Sequence, residues 1–379
     1  PLVGEGQAYI RHGIPLIGPA KAMPSGGFIY MDGRQLARDL RGGLLQLTRS
    51  QLQTVRAWAK EGGVILAVGD IVPLLFAWWS GAPYAFVGTA KSEYYLRDEM
   101  GPLPRRSKFE QLESWLGSVY LPWERWLMTG SRCKAVFPRD SLTTHILKRW
   151  RIPAFDLGNP MMDGLEPTGV QFQLLEPSIE PDDSAPLTIA LLPGSRAPEA
   201  YENWQTILEA VAALCLKLQR RSLLFVAAIV PSLDQAPFRQ ALTAQRWQTN
   251  PTMPDHFQQN RATLILTSAF NDCLLQADLA IAMAGTATEQ FVGLGKPAIT
   301  LPGKGPQFTP AFAEAQTRLL GLSVVLADTP TQVPAIVKSL LQDPDRLYQI
   351  QSSGQRRMGK PGAADRIAAC LLQQFRSKR

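Results

Sequence analysis

The segment DLAIAMAGTATEQFVGLGKPAIT, residues 278–300, contains the pattern from which the fold class is predicted. It opens with an apolar run at residues 278–283, passes through small and hydroxyl residues, continues with a helical pattern at residues 288–294, and ends in a second apolar run from Ala298. Strand, loop, helix and strand in this order form a βαβ unit, whose two strands lie parallel in one sheet. The stretch therefore predicts a parallel sheet covered by helices.

The same alternation extends along the whole chain of 379 residues. Strands are predicted in the first half at residues 28–31, 64–68, 84–87, 135–137 and 154–157, and in the second half at residues 187–192, 222–230, 262–267, 278–283, 298–301 and 323–327. Helices are predicted between them at residues 51–60, 141–150, 202–219, 238–248, 288–294, 312–320 and 333–341. This pattern predicts an α/β fold with two Rossmann-like, doubly wound domains facing a cleft.

Composition gives the domain boundaries. Residues 164–186 are rich in proline and acid and lack a hydrophobic period, so they are interpreted as the linker between an N-terminal domain, residues 1–163, and a C-terminal domain, residues 187–360. Residues 361–379 are predicted to form a C-terminal helix that packs back on the N-terminal domain. The first 13 residues read as the tail of a strand that enters a loop, so we expect a preceding strand and helix to be missing.

Charge and cysteine usage limit the function classes. The net charge of +7 suits anionic partners such as nucleotide phosphates or acidic lipid headgroups, whereas no recognition motif supports nucleic-acid binding. The four cysteines are scattered and form no metal-binding or disulfide pattern, which favours a reducing cytoplasm. Residues 62–88 are apolar and long enough to span a membrane, but Asp70 and several glycines and prolines interrupt them. We therefore interpret them as strand 64–68, helix 73–80 and strand 84–87.

A first candidate loop follows the predicted strand at residues 187–192. Gly194 lets the backbone approach a ligand closely, Ser195 supplies a hydroxyl, and Arg196 provides a guanidinium that suits phosphate. The free N–H groups at the start of the next helix also favour an anion. The alternative is an ordinary turn between a strand and a helix, with a solvated arginine.

A second candidate loop lies inside the opening stretch. Gly285 and the hydroxyls of Thr286 and Thr288, with Ala287 between them, suit a phosphate at a helix N-terminus. Glu289 is placed to accept hydrogen bonds from a ribose diol, as an acidic residue does in dinucleotide folds. The alternative is a capping box with Thr286 as N-cap and Glu289 at N3, which leaves the glycine unexplained.

Two further loops complete this candidate site. LPGKGPQFTPAF, residues 301–312, offers Lys304, Gln307 and Thr309 as donors to a sugar or phosphate, or it is a surface loop held by prolines. Phe270 follows the predicted strand at residues 262–267, where an aromatic ring with exposed backbone can hold a nucleobase. A plain helix start explains Phe270 equally well. No cluster of metal ligands accompanies these loops, so we expect a nucleotide diphosphate bound without a required metal or other cofactor.

The N-terminal domain offers fewer signals. Asp70 follows an apolar strand and is a candidate general base, although it also fits the N-cap of the next helix. Polar residues at the same predicted sheet edge are candidates for contact with a second substrate: Glu5, Thr89, Lys91 and Ser92, with Glu93 beside them. Five of the nine tryptophans lie between residues 78 and 126, near basic segments at residues 104–108 and 147–151. Such a set either docks on an anionic membrane surface or packs between helices.

The segments LLPGSR (191–196), ADLAIAMAGTATEQFVGLGKPAI (277–299) and LGNPMMDGL (157–165) resemble the lipid-A-disaccharide synthase family, and most closely its lipid-A-disaccharide synthase-related branch. The resemblance covers the second domain well and the first domain thinly. It implies a GT-B glycosyltransferase with a UDP-sugar donor on the second domain and a lipid or lipid-linked sugar acceptor on the first. It further implies a cytoplasmic protein that is peripheral on the inner face of the membrane.

The resemblance also implies roles for individual residues. It places Gly194, Ser195 and Arg196 at the diphosphate, Thr286, Ala287 and Thr288 in the helix-start loop, Glu289 at the ribose and Phe270 at the uracil. Asp70 loosely matches a catalytic aspartate of the family, whose Asp-x-Pro-Asp-Phe-Asn run is replaced here by GDIVPLLF, residues 69–76. Two other functions stay open: a UDP-sugar epimerase of the same fold, and a non-catalytic protein that binds a nucleotide or a membrane.

Overall fold

The computed structural model describes residues 6–21, 41–104, 111–112, 115–175, 186–305 and 308–376. The chain separates into two compact units, of which the first contains Pro1–Leu157 with Ala364–Arg379, and the second contains Gly158–Ala363. Several predictions lie outside the described residues: the strand at 28–31, most of the basic segment at 104–108, the candidates Glu5 and Gln307, and residues 176–185 of the linker.

The first unit is built on three parallel strands in the order β1–β2–β5. These strands are β1 (Ile65–Gly69), β2 (Tyr84–Gly88) and β5 (Cys133–Phe137), and a small antiparallel hairpin joins β3 (Arg97–Asp98) to β4 (Gly101–Pro102). The described helices before the second unit are α1 (Gln7–Arg11), α2 (Leu44–Lys60), α3 (Ile71–Ser80), α4 (Pro122–Thr129) and α5 (Ser141–Lys148). Residues 62–88 thus fold as strand, helix and strand, which confirms the prediction. No helix in the described part of the chain is long and apolar enough to cross a membrane.

The second unit is built on an eight-stranded sheet. Its strands are β6 (Leu187–Leu192), β7 (Leu223–Ala228), β8 (Gln248–Thr249), β9 (His256–Gln259), β10 (Ala262–Thr267), β11 (Leu279–Ala282), β12 (Ala298–Thr300) and β13 (Val324–Leu326). Its helices are α6 (Glu199–Lys217), α7 (Ala236–Ala244), α8 (Phe270–Gln276), α9 (Thr286–Gly293), α10 (Pro310–Leu320), α11 (Val333–Leu341) and α12 (Pro344–Met358).

The strand order across this sheet is β13–β12–β11–β6–β7–β10–β9–β8, and the six strands from β13 to β10 are parallel. The chain starts at β6, builds outward through β7 and β10, and then returns to build the other side from β11. This is the strand order of the Rossmann fold. The predicted α/β fold with parallel sheets is therefore confirmed.

The core of the second unit explains why these segments became strands. All six residues of β7 are buried, because helices cover both faces of a parallel sheet. Trp204 of α6 is fully buried and meets the ring of Phe238 edge to face, with 5.5 Å between the ring centroids. Aromatic pairs in this geometry stabilise a core beyond the apolar area that they bury.

One predicted strand does not form, and two strands of the second unit were not predicted. Residues 154–157 make only an isolated bridge, between Val136 and Ala154, because the chain turns away at Gly158 with a φ of +87°. The antiparallel strands β8 and β9 were not predicted. Their residues are mostly polar, and Phe257 is the one apolar and fully buried residue among them, so neither an apolar run nor an alternating pattern marks these strands.

The C-terminal helix α13 (Ala363–Arg376) returns to the first unit. Its Ile367 is buried in one cluster with Val87 of β2 and Phe137 of β5. Cys370 and Leu371 extend the same contact face. The helix therefore covers one face of the three-stranded sheet and supplies part of the core of the first unit.

Candidate functional site

The second unit has a topological switch point between β6 and β11. These two strands are adjacent and parallel, yet the chain leaves β6 toward one side of the sheet and leaves β11 toward the other. Loops at the carboxyl ends of two such strands diverge and leave a crevice, which is where doubly wound sheets bind their ligands. The two predicted phosphate loops, those of Gly194 and Gly285, are the loops that follow β6 and β11.

The loop after β6 turns at Gly194, whose φ is +104°. Side chains other than glycine rarely adopt this conformation, and a Cβ at this position would lie 3.5 Å from the Met283 carbonyl oxygen at the end of β11. The next residue, Ser195, is exposed, and Arg196 is half-buried. Burial lowers the pKa of Arg196 from its ordinary value, and the nearby Glu199 carboxylate opposes this effect. The sequence thus brings a close backbone approach and a cation to the switch point.

Asn203 joins the loops after β6 and β11. It is buried on α6, and its Nδ2 donates to the Pro193 carbonyl at 3.0 Å and to the Met283 carbonyl at 3.2 Å. A buried amide with two backbone acceptors fixes both strand ends at once. Sequence reasoning missed this residue. The signal was an amide one helical turn after Glu199, on a helix face that is otherwise apolar.

Glu199 joins the loop after β12 to the same helix. Its carboxylate is buried and accepts a hydrogen bond from the Phe308 N–H at 2.5 Å. A Cβ at Gly305 would overlap this carboxylate, so the loop can approach α6 only with a glycine there. Lys304 is exposed beside this contact, whereas Thr309 serves as N-cap of α10 and accepts from the Phe312 N–H at 3.1 Å.

The loop after β11 starts α9 with Gly285 as the N-cap and Thr286 as the first helical residue. The alternative of a capping box built on Thr286 and Glu289 is therefore wrong, because Glu289 lies one position too far into the helix. Thr286 is exposed and Ala287 half-buried, whereas Thr288 is fully buried and donates its hydroxyl to the Ala284 carbonyl at 2.5 Å. The Thr288 hydroxyl thus stabilises the loop between β11 and α9.

Glu289 lies in the first turn of α9 and is 7% exposed. A carboxylate in this position interacts favourably with the positive end of the helix dipole. Its limited exposure leaves at most an edge of the carboxylate open to a ligand. The neighbouring Gln290 is half-buried and donates to the Met161 carbonyl at 2.9 Å.

Phe270 is half-buried at the start of α8, directly after β10. Since β10 lies two strands from β6, Phe270 is about 10 Å across the sheet from the Gly194 loop. Asn271 is occupied elsewhere, because its Nδ2 donates to the Gly164 carbonyl at 2.9 Å and to the Glu166 carbonyl at 2.8 Å. These two carbonyls belong to the start of the segment that the sequence marks as a linker.

The candidate base Asp70 lies between β1 and α3 in the first unit. It occupies the N-cap position of α3, but its side chain makes no capping hydrogen bond. The carboxylate is half-buried and acts electrostatically on both Tyr120 and Glu124, raising the pKa of each in addition to the larger effect of their burial. Asp70 therefore follows the end of β1, and its carboxylate makes no capping hydrogen bond to α3.

The other first-unit candidates lie after β2 and differ in exposure. Thr89 is exposed, and its carbonyl accepts from the Arg139 guanidinium at 3.1 Å. Lys91 is half-buried and pairs with the buried Glu124 carboxylate at 2.7 Å. Ser92 is fully buried and donates to Asp140 at 2.7 Å. Only Thr89 and part of Lys91 are open to solvent in this arrangement.

Glu93 is fully buried within a polar cluster of the first unit. Its Oε1 accepts from the Ser118 hydroxyl and from the Val119 N–H, and its Oε2 lies 3.1 Å from Nε of Arg97. Burial raises the pKa of Glu93, while the hydrogen bond from Ser118 and the charge of Arg97 oppose this effect. These contacts make the Glu93 carboxylate a structural group.

Metal ligands do not cluster in the part of the chain that the structure describes: no group of three or more His, Cys, Asp or Glu side chains there is placed to hold an ion. At the switch point, Arg196 supplies a cation, and the first N–H groups of α9 supply partial positive charge.

Comparisons with known proteins identify the fold. No protein-family model matches the chain, and neither does any curated protein sequence. Among solved structures, the calicheamicin glycosyltransferase CalG4 is similar with a TM-score of 0.55 and 14% identity, over 99% of this chain and 89% of that one. MurG from Acinetobacter baumannii gives a TM-score of 0.51 at 16% identity, over 97% and 88% of the two chains.

A third similar structure is an epimerase. The UDP-GlcNAc 2-epimerase from Neisseria meningitidis, bound to UDP-GlcNAc, has a TM-score of 0.50 and 14% identity, with 97% of this chain and 88% of that chain covered. Such low identities establish the fold alone. The chain therefore has the two-domain GT-B fold, which these glycosyltransferases and this epimerase share.

Proposed function

We propose that this protein is an inverting glycosyltransferase that transfers a sugar from a UDP-sugar to a lipid or lipid-linked acceptor, as in the lipid-A-disaccharide synthases that its motifs resemble. The observation that carries the proposal is the switch point of the second unit. There, the Gly194 loop, the start of α9 and the loop after β12 converge, and α6 holds them through Asn203 and Glu199. This arrangement suits a nucleotide diphosphate.

The donor residues divide by chemistry. Arg196 and the first N–H groups of α9 suit the two phosphates, since both present positive charge at the crevice. Phe270 lies about 10 Å across the sheet, a separation that suits the distance from a diphosphate to its base. Glu289 is assigned to the ribose, with its carboxylate as acceptor. The fold likeness to a structure bound to UDP-GlcNAc supports a UDP-sugar as the donor.

The reaction needs one base and one stabilised leaving group. Asp70 takes the proton of the acceptor hydroxyl, whose oxygen forms a bond to the anomeric carbon of the sugar. The bond from that carbon to the β-phosphate oxygen breaks, and its electron pair leaves with UDP. Attack from the face opposite the diphosphate inverts the anomeric centre. Arg196 and the start of α9 stabilise the charge that develops on UDP, an electrostatic role that does not require a metal.

Calorimetric titration with UDP tests the donor site. We expect saturable binding to the wild type, and an affinity about tenfold lower for Arg196→Ala, because a hydrogen bond to a charged group is lost. Glu289→Gln should weaken UDP binding less than Arg196→Ala does. Lys338→Ala, which removes an exposed cation from α11, is the matched control and should bind as the wild type does. Absence of saturable UDP binding to the wild type would refute the donor site.

The proposal of a lipid-linked acceptor draws on the exposed face of α4. The burial pattern of α4 is the reverse of that expected for a surface helix. Its charged residues Glu124 and Arg125 are buried, whereas Trp123 and Trp126 are 50% and 58% exposed. Trp126 packs on Trp78 with 5.1 Å between the ring centroids, and the Arg132 guanidinium lies 5.9 Å from the Trp78 ring. Tryptophans with a nearby cation suit the headgroup region of an anionic bilayer.

Vesicle co-sedimentation tests this part of the proposal. We expect the wild type to sediment with vesicles that contain phosphatidylglycerol and much less with pure phosphatidylcholine, and the binding to weaken with salt. Replacing both Trp123 and Trp126 with serine should reduce binding about tenfold, because about 1.4 kcal/mol of apolar burial is removed. Tyr348→Ser, at a 71% exposed position on α12, serves as control. If the double variant binds vesicles normally but loses self-association, the face is a contact between copies instead.

An epimerase is the second candidate, because the likeness to the Neisseria enzyme is nearly as strong as that to the transferases. Epimerisation needs several acid and base groups. Glu93, the carboxylate beside the candidate Ser92, is buried and held by Ser118, Val119 and Arg97, which favours the transferase. Incubation with UDP-sugars in the absence of an acceptor separates the two functions. An epimerised sugar in the product would favour the epimerase.

A further inference from the structure

Gln316 is buried on α10, beneath the start of α9. Its Nε2 donates to the Ala284 carbonyl at 3.0 Å and to the Gly285 carbonyl at 3.2 Å. Its Oε1 is also buried, and among the described residues no hydrogen-bond partner reaches it. An unsatisfied buried acceptor destabilises a protein, and an apolar side chain of similar length would avoid that cost. Stability alone therefore does not account for an amide at this position.

The two carbonyls that Gln316 holds determine where two N–H groups point. In a trans peptide the C=O and the following N–H lie in one plane and point in opposite directions. Because the carbonyls of Ala284 and Gly285 are directed at α10, the N–H groups of Gly285 and Thr286 are directed away from it. Thr286 is the first residue of α9, so its N–H has no acceptor within the helix. Two successive N–H groups on one side of a loop make a concavity that suits an anion.

We propose that Gln316 is a positioning residue of the donor site: by holding the carbonyls of Ala284 and Gly285, it presents the N–H groups of Gly285 and Thr286 to the diphosphate of the UDP-sugar. This inference rests on the proposed function. Gln316 is 1% exposed and donates its hydrogen bonds to the loop, so its effect on the ligand is indirect. The N–H groups that Gln316 positions contact the phosphates and not the nucleoside. A comparison of UDP with uridine therefore tests the role of Gln316 selectively.

The test measures the affinities of UDP and of uridine in Gln316→Met. Methionine has a similar length but donates no hydrogen bond, so the Ala284 and Gly285 carbonyls lose this contact and keep only those from the Thr288 hydroxyl and the Glu289 N–H. We expect UDP to bind about tenfold more weakly while uridine affinity is unchanged, because only phosphate contacts are lost. The melting temperature should stay close to that of the wild type, since the buried unsatisfied Oε1 is removed together with the two hydrogen bonds. Gln316→Leu, which also lacks a hydrogen-bond donor, should show the same selectivity.

Gln276→Met is the matched control. Gln276 also makes two backbone contacts, because its Nε2 donates to the Val170 carbonyl at 2.6 Å and its Oε1 accepts from the Phe172 N–H at 3.1 Å, but it lies on α8. This variant should lose stability and keep its affinity for UDP. Equal loss of UDP and uridine affinity in Gln316→Met, or no loss of either, overturns the positioning role. If the wild type itself fails to bind UDP, the proposed function is refuted together with this inference.

Discussion

Gly194 is the residue on which the loop after β6 turns. Its φ of +104° lies in a region that L side chains rarely adopt, and a Cβ would lie 3.5 Å from the Met283 carbonyl oxygen, an ordinary contact distance. The restriction at this position is therefore backbone strain more than a clash. The residue illustrates how the site is made: Gly194 permits the turn, Asn203 holds it, and Arg196 is then presented at the crevice.

Replacing Gly194 with alanine should lower the free energy of unfolding by about 1–2 kcal/mol, from left-handed backbone strain. It should also weaken UDP binding, because the relaxed loop would move away from the end of β11. Gly169→Ala is the matched control, since Gly169 has a φ of +94° with no atom within 4 Å of the added Cβ. Urea unfolding and UDP titration of both variants separate the effects. Equal UDP affinities in the two variants would contradict a role of Gly194 in the site.

At the scale of elements, the segment at residues 164–175 is fastened to the second unit. The Asp272 carboxylate on α8 accepts from the Thr168 N–H at 3.0 Å, from the Gly169 N–H at 3.2 Å and from the Thr168 hydroxyl. The Leu175 N–H donates to Thr263 at 3.2 Å. Helix α8, which carries Phe270 at its start, is thus held from outside by this segment. Proline and acid content alone did not reveal these contacts.

The attachment of this segment should depend on pH. The hydrogen bond from the Thr168 hydroxyl, followed by the two backbone N–H groups, lowers the pKa of Asp272 below its ordinary value. A carboxylate whose pKa is lower in the folded state than in the unfolded state stabilises the folded state at pH values above its ordinary pKa. This stabilisation is lost as the pH falls through the pKa of the folded state. Thr168→Val should therefore reduce stability at neutral pH, and its difference from the wild type should shrink below about pH 4. A difference that is constant from pH 7 to pH 3 in urea unfolding would contradict this assignment.

At the scale of the whole molecule, the chain crosses between its units twice. It enters the second unit after Leu157 and returns to the first with α13. Each unit has its own core, and the core beside β2 and β5 includes Ile367 from the end of the chain. The first unit is therefore completed by residues that follow the second unit in the chain. The loops of the proposed donor site lie in the second unit.

Ile367→Ala tests this division. Ile367 is 4% exposed, so the variant should destabilise the first unit by about 2–4 kcal/mol through the lost burial and the cavity left behind. UDP affinity should match that of the wild type, because the loops of the donor site pack on the second unit. Limited proteolysis followed by peptide mapping would locate the weakened unit. Cleavage confined to residues 158–363 would run against the expectation.

Much of the fold was determined by the sequence through local physical signals. Continuous apolar runs marked the parallel strands β6, β7, β10 and β11. Two helices gave weaker signals. Helix α4 buries its charged residues and exposes its tryptophans, so its pattern is reversed, and α8 has only seven residues. Propensity and periodicity are local, and both cases depend on what packs around the helix.

Local signals in the sequence identify the residues at the ends of the strands: Gly194 and Arg196 after β6, and Gly285 and Thr286 after β11. That β6 and β11 are neighbours follows from the tertiary structure, which brings loops 90 residues apart in the chain to one crevice. It also decided the tasks of Asn203, Glu199 and Gln316, whose partners are backbone groups of distant loops. The physical reason is that strand order and long-range hydrogen bonds depend on the packing of the whole sheet, whereas glycine turns and apolar runs depend on neighbouring residues.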